Sequence, residues 1–148
     1  MIVALVYDLD MSTHHLPVRD EAIDRLHSRL AVVCTTLARA HAELVEITAD
    51  ALAGEGWAEG GVRSPEHWLV VRAGLSPARA REIVTLARRR DELPDTIELL
   101  SAGRLGIDQA AVVARHVPAR FGRSVVELAE LATVPQLRRC LSRYDFSD

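Results

Sequence analysis

Ala73-Gly74-Leu75-Ser76-Pro77-Ala78-Arg79-Ala80-Arg81-Glu82-Ile83-Val84-Thr85-Leu86-Ala87-Arg88-Arg89-Arg90 carries a helix stop followed at once by a helix start. Glycine ends helices because it enters the left-handed region without a Cβ penalty, so Gly74 marks a C-terminus. Serine followed by proline marks a start. The Ser76 hydroxyl accepts from a first-turn N–H, and Pro77 lacks an N–H where no helical partner exists for one. A helix, a short glycine-containing turn and a second helix is the grammar of a helix-turn-helix. On a helical wheel Ala80, Ile83, Val84 and Ala87 share a face suited to packing on the preceding helix. The opposite face carries Arg81, Thr85, Arg88 and Arg89, with Glu82 among them and Arg79 and Arg90 at its flanks.

Upstream the start signal recurs as Ser64-Pro65-Glu66-His67, and a helix follows through Trp68-Leu69-Val70-Val71-Arg72. Before it, four glycines in Gly54–Gly61 are expected to supply the positive φ angles of a chain reversal. From Asp20 onward Ile23, Leu26, Leu30, Val33, Leu37, Ala40, Leu44, Ile47 and Ala51 alternate steps of three and four. That a/d stripe predicts one helix over 20–53, roughly 45 Å long. Two uses for it stay open: cover by later helices of the same chain, or pairing with a second copy. For the second, Ile23, Leu26, Leu30, Val33, Leu37, Leu44 and Ile47 are the dimerisation candidates. Residues 1–19 form a poorly patterned extension. Ile2–Tyr7 has strand propensity but no strand to pair with, and the natural start is either Met1 or Met11.

Downstream, the helix after Ser76 runs through Leu93 and stops before Pro94. Another spans Pro94-Asp95 to Ala102-Gly103. A third opens at Ile107-Asp108, with Asp108 as candidate cap, and ends before Pro118. Val125–Ala132 and the basic Gln136–Arg143 complete the pattern. Links of two to five residues suit a compact bundle. The predicted class is all-α: a long N-terminal helix, a helix-turn-helix-like core over 62–117 and C-terminal helices over 124–148. The composition agrees, since 49% of the residues are hydrophobic but only 4% are aromatic. At 148 residues one domain buries a core without disulfides or metals. Cys34 and Cys140 have no CxxC or HxxxH partners and are expected to be buried thiols. Met1–Tyr7 is too short to span a bilayer, has no basic residues before it and lacks a cleavage pattern. Neither signal peptide nor anchor is read there, and a cytoplasmic location is expected.

All 18 positive charges are arginine, and they are unevenly placed in a chain of net charge −3. Residues 1–62 carry a net −6, residues 63–148 a net +3, and residues 63–90 hold seven arginines against two acids. Such a segment binds phosphate locally, with modest, salt-sensitive affinity. The candidate nucleic-acid contacts are Arg63, Arg72, Ser76, Arg79, Arg81, Thr85, Arg88 and Arg89, because guanidinium groups reach both phosphate oxygens and guanine edges. The bland alternative is an ordinary solvated face in a chain without lysine. Catalysis finds no foothold. No glycine-rich phosphate loop or GxSxG elbow occurs, and Glu43/Glu46 and Glu127/Glu130 read as surface charge. His27, His41, His67 and His116 are scattered singly, so no metal ligand set, cofactor or small-molecule substrate is expected.

Two resemblances add to this. Leu93–Ala110, with its Leu-Pro stop, short helix and Gly103-Arg104-Leu105 link, is similar to the stretch after the helix-turn-helix of ParB-type partition proteins. That implies a DNA-binding geometry, not a partition role. More specifically, Gly60-Gly61-Val62-Arg63-Ser64, His67-Trp68-Leu69, Gly74-Leu75-Ser76-Pro77-Ala78-Arg79-Ala80-Arg81, Ala87-Arg88, Leu93-Pro94, Ala102-Gly103-Arg104-Leu105 and Asp108-Gln109-Ala110 leading to Val117-Pro118 keep their order. Together they resemble the DUF222 domain, the helical module that precedes an HNH nuclease in actinobacterial 13E12-repeat proteins. The resemblance implies a helical, DNA-associated module. It carries no nuclease residues over, because the CxxC pair and His-Asn-His set are absent, and the chain stops at Asp148 where the family continues. The expectation is therefore a non-catalytic nucleic-acid-binding module, with a helical dimerisation module or a truncated relic as the alternatives.

Overall fold

A computed structural model describes residues 15–147, with the backbone alone for the first three of these. The expectations for Ile2–Tyr7 and for the start at Met1 or Met11 lie outside the described residues. Among the described residues there are seven α-helices and no strand: α1 His15–Ala53, α2 Pro65–Ala73, α3 Pro77–Arg88, α4 Pro94–Ser101, α5 Ile107–His116, α6 Gly122–Leu131 and α7 Val134–Arg143. A single 3-10 turn, Ala119–Phe121, joins α5 to α6. No helix among them is long and apolar enough to cross a membrane.

The chain divides after Cys34 into two compact units. What is described of the N-terminal unit is helical throughout. Its Ile23, Leu26, Leu30 and Val33 are exposed, between 41% and 59%. Arg25 pairs with Glu21 one turn away at 3.7 Å.

In the C-terminal unit the core is built from small residues on α1 and branched aliphatics on α2–α7. Ala38, Ala42, Val45 and Ala49 recur at steps of four, three and four and are buried with Leu69, Ile83, Leu86, Leu100, Val113 and Leu137. Alanine at such positions lets backbones approach closely, and burial of the aliphatics opposite supplies the driving force. The covered face of α1 is therefore one residue off the predicted stripe. Leu37 and Ile47 stay exposed, and only Leu44 packs partly on the core. Thr48 fits this dry face because its Oγ1 donates to the Leu44 carbonyl at 2.7 Å.

The caps follow the sequence signals closely. Ser64 Oγ accepts from the His67 N–H at 3.1 Å, and Ser76 Oγ from the Arg79 N–H at 3.2 Å. Gly74 sits at φ 65°, ψ 22°, the left-handed turn expected between α2 and α3. Four expectations are corrected. The helix after Ser76 ends at Arg88, not Leu93, and residues 89–92 form turns closed by the Leu93 N–H on the Arg89 carbonyl at 3.0 Å. Only Gly60 and Gly61 of the four-glycine loop take positive φ, and a third positive φ there falls on Glu55. Asp108 is not the cap of α5: Gly106 is, and its N–H donates to Gln109 Oε1 at 2.9 Å. Cys34 and Cys140 are free and exposed, not buried. The buried positions of α7 are Leu137 and Leu141, and Cys140 instead lines an apolar cleft of about 220 Å³ with Phe121, Leu128, Tyr144 and Phe146.

Candidate nucleic-acid interface

The α2–turn–α3 pair positions the candidate residues. Ala80, Ile83, Val84 and Ala87 are buried as the wheel predicted, with Leu86 beside them. This fixes the rotation of α3, so Arg81 and Arg88 face solvent and Thr85 lies half-buried between them. The Thr85 hydroxyl donates to the Arg81 carbonyl at 2.8 Å, which leaves it able only to accept.

Not every arginine of α3 is free. Arg79 donates through Nη1 to Glu82 at 2.8 Å and through Nη2 to Asp108 at 2.5 Å. Arg89 turns back against α5, donating to the Ala114 and Val117 carbonyls at 2.5 and 2.8 Å and to Glu92 at 2.8 Å. These carbonyls end α5 and have no helical partner, so a guanidinium there both satisfies them and opposes the negative end of the helix dipole. Arg90, at the flank, pairs with Glu46 and Asp50 of α1, and Glu46 raises its already high pKa. Ser76 is spent as the α3 cap. Arg63, in the loop before α2, and Arg72, in the last turn of α2, are exposed. The basic set that stays available on α3 is thus Arg81 and Arg88.

Arg79 joins α3 to the start of α5, and Arg89 joins α3 to its end, so the two helices run the same way side by side. Between them opens a cleft of about 310 Å³ lined by Arg81, Glu82, Thr85, Ala111, Ala114 and Arg115. Arg115 escaped the sequence reading, which attended to one helix face at a time. Next to it, His116 is held below the ordinary histidine value by burial and by the charges of Arg115 and Arg138. His41 is also lowered, by burial and by Arg79, against smaller opposing effects of Leu37 and Asp108. Among the described residues no three His, Cys, Asp or Glu side chains come together as a metal site.

Residues 26–145 match the sequence model of a family described as a domain of unknown function, DUF222. The chain belongs to the DUF222 family. The match covers the exposed helix from Leu26, the whole helix-turn-helix-like core and the C-terminal helices, more than the Gly60–Pro118 stretch that carried the resemblance. No curated protein and no solved structure matches the chain. DUF222 membership fixes the family and leaves the activity to be argued from the surface.

Proposed function

We propose that this DUF222 domain is a non-catalytic nucleic-acid-binding module that contacts duplex DNA through the exposed face of α3. The observation that carries the reading is the division of labour among the arginines. Arg79, Arg89 and Arg90 are consumed by internal partners, while Arg81 and Arg88, one face apart from the core, have no acidic partner among the described residues. Exposed guanidinium groups spaced two turns apart on the helix after a glycine turn suit phosphate and major-groove contact. Retention of the full chain on immobilised duplex DNA at low salt tests this: it is expected for the native protein and lost in Arg81→Ala/Arg88→Ala. Equal retention of the two would remove the reading.

A second reading rests on the N-terminal unit. Four exposed aliphatics in a/d register, Ile23, Leu26, Leu30 and Val33, are what a helix presents to a second copy of itself. Self-association through them predicts a dimer by light scattering that Leu26→Glu/Leu30→Glu converts to monomer. A native protein that is monomeric at high concentration contradicts it.

A further inference from the structure

Two arginines on different helices face one cleft, and neither has an acidic partner among the described residues. Arg81 and Arg115 line the space between α3 and α5 from opposite walls. The acids of α3 and α5 are already engaged, Glu82 and Asp108 both by Arg79. The ordinary structural role for a basic residue in the last turn of a helix is to meet its terminal carbonyls. On α5 that role is filled by Arg89, which holds the Ala114 and Val117 carbonyls. Arg115 is thereby left exposed, with no side-chain hydrogen-bond or ion-pair partner among the described residues. The rest of the lining is Glu82, whose carboxylate is held by Arg79 at 2.8 Å, and the small residues Thr85, Ala111 and Ala114, which leave room for an anion between the two arginines. His116, next to Arg115, is lowered first by burial and then by the charges of Arg115 and Arg138.

We propose that the α3–α5 cleft is a phosphate-binding site in which Arg81 and Arg115 act as two jaws on one phosphate group. The site rests on the nucleic-acid reading for its natural source, a phosphodiester of the duplex backbone, but its chemistry is that of any phosphate. It assigns Arg115, which lies off the contact helix α3, to the interface, with the phosphate gripped between helices and Arg88 left to reach beyond it. Guanidinium forks suit this because each offers two parallel donors to a phosphate.

The test uses the full chain with Arg115→Ala, Arg81→Ala and, as a charge-matched control outside the cleft, Arg39→Ala on the exposed side of α1. In duplex DNA titrations across salt, Arg115→Ala and Arg81→Ala are each expected to reduce the log–log salt slope by about one, as for one lost phosphate contact. Arg39→Ala is expected to leave the slope unchanged. If Arg115→Ala behaves like Arg39→Ala while Arg81→Ala loses binding, the cleft is overturned and the α3 reading stands. A second arm needs no nucleic acid. Inorganic phosphate, against chloride at equal ionic strength, is expected to raise the urea midpoint of the native protein and of Arg39→Ala but not of Arg115→Ala. If duplex is not bound yet phosphate stabilises through Arg115, the DNA source fails and the phosphate site stands. If phosphate stabilises all three proteins equally or none of them, the cleft is not a phosphate site.

Discussion

Arg88 and Arg89 are neighbours in sequence with opposite fates. On a wheel 100° apart, both fall on the polar face of α3, and nothing local separates them. The end of α5 does, by presenting two orphan carbonyls to Arg89. Arg89→Ala is therefore expected to lower stability by about 1.5–3 kcal/mol, the cost of leaving buried acceptors unmade. Arg81→Ala and Arg88→Ala are expected to stay within about 0.5 kcal/mol of the native protein. Urea unfolding of the three variants checks this, and a stability loss in Arg81→Ala comparable to that of Arg89→Ala would show that Arg81 has a structural partner. The same limit explains why Arg115 was invisible. Its significance depends on the parallel docking of α5 against α3, which no periodicity within either helix encodes.

Elements were more legible than their contacts. Ser64, Ser76, Gly74 and the prolines act through bonds within a few residues, so their reading from sequence survives intact. The side of α1 that packs on the core was not legible, because the stripe follows the larger aliphatics, whereas the close packing of α1 selects Ala38, Ala42, Val45 and Ala49. Gly103 shows how tight that packing is. It follows α4 at φ +76°, and a Cβ there would collide with Thr35 Cγ2 of α1 and press on its Cα at 3.0 Å. Gly103→Ala combines a left-handed strain with overpacking against backbone, and is expected to lower stability by about 2–4 kcal/mol. Thermal or urea unfolding reads the difference directly. A change under about 0.5 kcal/mol would mean that α4 and α1 separate easily at this point.

At the scale of the whole molecule, two histidines give the fold a pH response. His41 and His116 both have pKa values below the ordinary 6.5, chiefly through burial. In the window between the folded values and 6.5 the unfolded chain binds protons that the folded chain refuses, so stability rises with pH there and falls as acid is added. Urea midpoints are expected to drop between pH 7.5 and 5.5, and His41→Gln/His116→Gln is expected to flatten that drop. An equal drop in the double variant would assign the effect to other groups. The family, the all-helical class and the two capped helices of the core were readable from residues that act locally. The surface that gives the domain its proposed activity is a tertiary product, selected by which arginines the rest of the fold consumes. The most direct test of that selection is an equilibrium titration of native and Arg81→Ala/Arg88→Ala protein with duplex DNA at several salt concentrations. Native affinity is expected to fall with salt, with a log–log slope shallower by about two in the double variant. Absence of native binding at low salt, or identical slopes for the two proteins, would contradict it.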